Sequence, residues 1–206
     1  SSIPVPEYVH RITNQNRHAD AQADMVIIIP QSGKLWAEAE RLAQAHRIID
    51  GLRVAVVRAD EIYNEFSSGT PDATAYRRLM KMLYDRADGD EKVMPRYLLL
   101  FGNCSFDNRM LTQSMSRCKP EDYLLCFESE NSFSDTKSYV MEDYFGLLDD
   151  GEGGNLVHEK SDLGIGRFPV STATDAKVMV DKVIDYISNR NAGAWKNVVM
   201  MLGDDG

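Results

Sequence analysis

The sequence predicts an α/β fold in which a mostly parallel sheet carries helices on both faces. Three observations predict it. Met25-Val-Ile-Ile-Ile29 is an unbroken apolar, largely β-branched run, the mark of a strand buried on both faces. Two further short apolar runs, 52–59 and 97–101, follow it. The segments between them place apolar residues three and four apart, which is helical spacing. Strand, helix, strand, helix, strand with short connections implies right-handed crossovers and a parallel sheet.

Residues 1–24 are polar and irregular and read as an extended lead-in. Pro30 ends the first strand. Residues 34–49 form a helix with Leu35, Ala39, Leu42, Ala43, His46 and Ile49 on one face, stopped by Asp50-Gly51. After the second strand, Asp60 caps a short helical turn over 61–66. Thr70 before Pro71 reads as an N-cap with proline in the first helical position. The helix that follows runs to about Ala87, apolar at Ala73, Tyr76, Leu79, Met80, Leu83 and Tyr84. The third strand turns at Gly102-Asn103. Beyond a polar loop, 123–127 is strand-like, and 138–148 carries the aromatics Tyr139, Tyr144 and Phe145. Leu163–Val170 is a short strand whose two glycines allow close approach of another backbone. Thr172 or Thr174 caps a helix from about 173 to 189, and Trp195–Leu202 is a last strand. The organisation expected is a lead-in (1–24), a first α/β subdomain (25–121) and the start of a second (122–206).

A chain of 206 residues, 43% hydrophobic and 27% charged, can bury a sizeable core. Its 32 acidic residues outnumber 23 basic ones, for a net charge of −9. That balance speaks against a general nucleic-acid binder, which needs cations to displace phosphate counterions, and against a polybasic membrane-surface module. No stretch approaches the ~20 apolar residues of a membrane helix, and no signal peptide is visible at the first residues.

In parallel sheets ligands sit beyond the carboxyl ends of the strands, so the loops after Ile29, Ala59 and Phe101 are the ones to watch. Cys104 lies in the last of these, which makes it the cysteine nearest to a nucleophile's setting. A nucleophilic thiol also needs a partner base, and no histidine follows a comparable strand. Cys118 and Cys126 read as ordinary small residues, and without a Cys-x-x-Cys no zinc site is indicated. Gly164-x-Gly166 lacks the third glycine of a dinucleotide fingerprint. Asp149, Asp150 and Glu152 could supply oxygen ligands to calcium from one loop, or could simply form a solvated turn. Asp204-Asp205 after the last predicted strand is either a carboxylate site, with Asp204 a further calcium candidate, or a frayed end. No cofactor is required, and calcium is the one candidate.

Several strings are more specific than the fold pattern. They are 62–72 (Ile-Tyr-Asn-Glu-Phe-Ser-Ser-Gly-Thr-Pro-Asp), 97–103 (Tyr-Leu-Leu-Leu-Phe-Gly-Asn) with Phe106-Asp-Asn-Arg109, 142–149 (Glu-Asp-Tyr-Phe-Gly-Leu-Leu-Asp), 164–170 (Gly-Ile-Gly-Arg-Phe-Pro-Val), and Trp195-Lys-Asn with Gly203-Asp-Asp-Gly206. In this order they resemble the gingipain-type family of cysteine peptidases, nearest to its branch of sortases serving type IX secretion in Bacteroidetes.

The resemblance implies a caspase-haemoglobinase-like α/β fold with side-by-side subdomains. It implies a catalytic His and Cys on strands after the Gly-Asp-Asp-Gly segment, neither of which this sequence contains. The chain is thus expected to be the N-terminal portion of a peptidase domain, inactive by itself. The whole enzyme would cleave C-terminal sorting signals from protein substrates, alongside outer-membrane secretion partners and without nucleic acid, at a secreted or cell-surface, outer-membrane-associated location. Asp162, just before the Gly-Arg-Phe strand, matches the acid that supports the catalytic His. Asp175 matches the carboxylate lining the primary specificity pocket for Arg substrates. The chemistry is compatible, since an acid beside a His orients it. For Asp175, the helix dipole favours an acid in a first turn in any case. The alternative is a non-catalytic binding module on the same fold.

Overall fold

The computed structural model describes residues 5–8, 11, 13–129, 138–156 and 158–203. Its sheet has four parallel strands in the order β2-β1-β3-β4: β1 (Met25–Ile29), β2 (Val54–Arg58), β3 (Tyr97–Phe101) and β4 (Gly164–Phe168). All five residues of β1 are buried, because it is a central strand with helices above and below. Successive side chains of a strand point to opposite faces. Met25, Ile27, Ile29, Leu99 and Phe101 therefore meet α1 (Trp36–Ile49) and α4 (Ala173–Ile187) through Ala39, Leu42, Ala176 and Val180. Val26, Ile28, Leu98 and Leu100 meet α2 (Ala59–Phe66) and α3 (Thr74–Ala87) through Ile62, Tyr76, Leu79 and Met80. Each of the larger aliphatic and aromatic side chains among these contributes about 1.5–3 kcal/mol of burial. The predicted α/β class and parallel topology are what the chain adopts. The sheet takes three strands from 25–121 and one from 122–206.

Turn chemistry decides the details. α3 starts at Thr74 rather than at Pro71, because Asp72 Oδ1 accepts the Thr74 N–H at 2.8 Å. Thr172, not Thr174, caps α4, its hydroxyl accepting the Asp175 N–H at 3.1 Å. Gly102 ends β3 against the residue that ends β1, and a Cβ there would lie 2.8 Å from Pro30 Cγ.

Two predicted strands are corrected. Residues 123–127 are extended but join no ladder. Leu124 N–H goes to Asn103 O at 2.9 Å, Leu125 N–H to the Tyr76 hydroxyl at 3.3 Å and Cys126 N–H to Asn108 Oδ1 at 3.1 Å. Loop and side-chain acceptors thus satisfy backbone donors that a neighbouring strand would otherwise take. Among the described residues a single antiparallel bridge, Glu128 to Val140, follows. Residues 195–202 form a short 3-10 turn (Ala194–Asn197) and then an irregular run in which Val198 to Leu202 are 67–96% exposed. Their pattern suits a strand, but no described segment pairs with them, and a strand exists only by pairing.

The lead-in is also more structured than expected over 13–20. Glu65 on α2 accepts from Gln15 Nε2 at 2.7 Å, Arg17 N–H at 2.6 Å, His18 N–H at 3.1 Å and His18 Nδ1 at 2.8 Å. Burial opposes ionisation of Glu65, but these donors outweigh it and hold the carboxyl at about 2, below its ordinary 4.5. A depressed carboxylate pKa means stability that is fully present above the unfolded value and lost as pH falls through the folded one. Urea unfolding between neutral pH and about pH 2 is expected to show this loss. Glu65→Gln should cost about 2 kcal/mol at neutral pH and flatten the acid limb, and an unchanged limb would refute the assignment.

Candidate functional site

A charged side chain largely withdrawn from solvent must find partners, and Arg167 of the edge strand β4 shows where they are. It lies opposite Leu100, near the carboxyl edge of the sheet, with its side chain 11% exposed. Its Nη1 donates to Gly102 O at 3.1 Å, and its Nη2 to Leu125 O at 3.1 Å and to Glu142 Oε1 at 2.7 Å. Nε donates to the same Glu142 oxygen at 3.1 Å. One guanidinium thereby ties together the end of β3, the 123–127 segment and the 3-10 turn Glu142–Gly146. The other carboxylate oxygen, Glu142 Oε2, is buried with no hydrogen-bond partner among the described residues.

Two thiols adjoin this pair. A hydrogen bond from Cys126, with Arg167 close by, holds the half-buried Cys104 thiol down at about 6 against the effect of burial. The shared hydrogen bond and burial push the Cys126 thiol up. At the same edge Asn103 N–H donates to Val170 O at 3.1 Å and Asn103 Nδ2 to Ser171 Oγ at 3.3 Å, fastening β3's exit to β4's. Asp175 follows, exposed in the first turn of α4, its carboxylate accepting from the Thr172 hydroxyl at 2.7 Å. Beyond α2 and α3 a cleft of about 830 Å³ opens, lined by Gln31, Tyr63, Asp72, Asn108, Arg109 and Tyr123 among others.

The two acids carried over from the resemblance do not meet. Asp162 precedes β4 at the amino edge, where its carboxylate accepts the Leu148 N–H at 2.8 Å. Asp175 stands past the carboxyl edge, a five-residue strand of about 16 Å away. The calcium candidates have separate engagements. Asp149 accepts from the Tyr84 hydroxyl at 2.8 Å, Asp150 pairs with Lys81 at 2.8 Å, and Glu152 accepts the Asp149 N–H at 3.0 Å. Among the described residues no three His, Cys, Asp or Glu side chains gather into a metal-holding group. Asp204 and Asp205 lie outside the described residues, as does His10. His18 bonds Glu65, His46 bonds Asp50 at 2.6 Å, and His158 is on an exposed turn.

Sequence reading missed Glu142 and Arg167 as a pair. The available signal was an arginine inside an otherwise apolar strand, which required a buried acid somewhere in the chain.

A parallel α/β domain with its polar and charged groups converging at the carboxyl edge defines the class in which chemistry or recognition takes place beyond the strand ends. The sequence profile of Peptidase family C25 matches residues 18–206. The chain belongs to this family, the gingipain-type cysteine peptidases. It is similar to dimeric latent PorU from Porphyromonas gingivalis, whose crystal structure superposes with a TM-score of 0.80 at 41% identity, covering 91% of this chain and 18% of that one. It also resembles a complex of the RgpB pro- and mature domains from Porphyromonas gingivalis, with a TM-score of 0.50 at 18% identity over 79% of this chain and 28% of that one. The second likeness shows the shared caspase-like fold alone. The chain therefore spans less than a third of either of these chains. No curated protein sequence matches it significantly. No described helix is long and apolar enough to cross a membrane.

Proposed function

We propose that the chain is part of a cysteine endopeptidase, a secretion-system sortase that removes C-terminal sorting signals from protein cargo at the cell surface, in association with outer-membrane secretion proteins. The similarity to PorU over 91% of the chain carries this reading. In it a thiolate attacks the peptide carbonyl, a histidine takes and returns the proton, and water or an amine resolves the acyl-enzyme. No described histidine is placed beside a cysteine, so the reading assigns nucleophile and base to polypeptide outside residues 1–206, and residues 1–206 alone are inactive.

The part assigned to this chain is a rigid wall beside that chemistry. Arg167 holds the wall's segments together, and Glu142, with its spare buried oxygen, is the described carboxylate best placed to orient a cationic base arriving at the carboxyl edge. Asp162 serves the Leu148 backbone at the opposite edge. Asp175 is assigned to the specificity pocket, where an exposed carboxylate suits a basic side chain.

The test is labelling of a longer chain with a thiol-directed peptidase probe. One cysteine other than Cys104, Cys118 and Cys126 should react. Labelling confined to those three with full peptidase activity overturns the assignment, and a longer chain with neither labelling nor activity makes this a binding module.

A further inference from the structure

Cys104 and Cys126 take no part in the proposed peptidase chemistry, yet they are arranged with respect to each other. The segment 124–126 runs beside 103–105. Leu124 N–H donates to Asn103 O at 2.9 Å, and the Cys126 thiol donates to Ser105 O at 3.2 Å. The Cys126 sulfur thus sits against the residue that follows Cys104, and each thiol shifts the other's titration, Cys104 downward and Cys126 upward. A disulfide needs Cα atoms about 4.4–6.8 Å apart, and these two hydrogen bonds hold the segments that carry the cysteines side by side.

We infer that Cys104 and Cys126 are a reactive dithiol pair that a low-molecular-weight disulfide oxidises to an intramolecular bond. The Cys104 thiolate attacks one sulfur of the external disulfide, that S–S bond breaks, and one half leaves as a thiolate and takes up a proton. Cys126 then loses its proton to solvent or to Glu128, whose Oε1 lies 3.8 Å from its sulfur. It attacks the Cys104 sulfur and expels the second half. Two protein thiols are oxidised and one external disulfide is reduced to two thiols.

The environment divides the roles. Cys104 is half-buried and faces Arg167, with Glu142 opposing, so it is the accessible thiolate. Cys126 is buried beside Glu128, which disfavours its thiolate, so its attack on the Cys104 sulfur is the second and slower step. Cys118 lies 3.4 Å from the Tyr123 hydroxyl and has no part in the pair. The product would close the loop from 104 to 126 and lock the exit of β3 onto the segment that Arg167 already holds.

The experiment treats the chain with oxidised glutathione at neutral pH, alkylates the remaining thiols and maps the peptides without reduction. Free thiols should fall from three to Cys118 alone, with a cross-linked Cys104–Cys126 peptide. Cys126→Ser should trap a glutathione adduct on Cys104, and Cys104→Ser should slow modification of Cys126 by more than about tenfold. An unresolved adduct on wild-type Cys104, a bond that includes Cys118, or three thiols that persist would each overturn the inference. The wild-type map decides the matter even if a variant fails to fold.

Discussion

Arg167→Met is expected to destabilise the fold by about 3 kcal/mol, the loss typical when one member of a buried ion pair is removed. Met retains much of the apolar stem, so packing is largely preserved. What disappears is the charge-assisted bonding to Gly102 O, Leu125 O and Glu142 Oε1. Glu142, which already has one oxygen without a partner, would then have two. The companion change Glu142→Gln should return part of the loss, because a neutral amide costs less to bury than an orphaned carboxylate. Arg167→Lys should recover little, since an ammonium lacks the planar fork that reaches three segments at once. Urea denaturation of the four proteins measures this directly. A loss under about 1 kcal/mol for Arg167→Met would mean that the pair is a surface bridge of small worth.

Phe145→Ala is expected to cost about 3–5 kcal/mol, the range for deleting a fully buried aromatic ring. Phe145 is 0% exposed, its ring centroid 5.6 Å from Tyr76 and 5.8 Å from Tyr144, the latter edge-on. Leu148 and Leu163 belong to the same core. In a domain of this size the melting temperature should fall on the order of 10 °C. Phe145→Leu should lose markedly less, because it leaves a smaller void. Three residues before Phe145 in the same turn stands Glu142. The void should therefore also loosen the Glu142–Arg167 contact, and the effects of Phe145→Ala and Arg167→Met should combine non-additively. Strict additivity would show that the ring and the ion pair are independent supports.

Much of the fold was legible before any coordinates. β1, β3 and the helices announced themselves because burial on both faces leaves an unbroken apolar run, and burial on one face leaves a helical stripe. The failures share a cause. Residues 123–127 and 195–202 carry the composition of strands, but pairing is decided by what lies alongside. For the first, Asn103 O, Asn108 and the Tyr76 hydroxyl took the backbone donors. For the second, no described strand lies alongside, and its contacts are those of Trp195 and Lys196 with the end of α4. The start of α3 was misplaced by three residues because Asp72 competes with Thr70 as a cap, and only the observed bond chooses between them.

The candidate site was less legible for the same reason. Asp162 and Asp175 flank β4 in the chain, one just before it and the other in the first turn of α4, and the sheet sends them to opposite edges. Glu142 and Arg167 are 25 residues apart and meet. Periodicity, capping residues and the ordered motif strings are properties of neighbouring residues. The sequence by itself therefore determined the α/β class, the parallel topology and the resemblance to gingipain-type peptidases. Which charges share a site, and which thiols face each other, depend on how distant segments cross at one edge of the sheet. Side-chain contact is a three-dimensional condition with no local signature, so only the tertiary structure could decide that Arg167 fastens Glu142 beside Cys104 and Cys126.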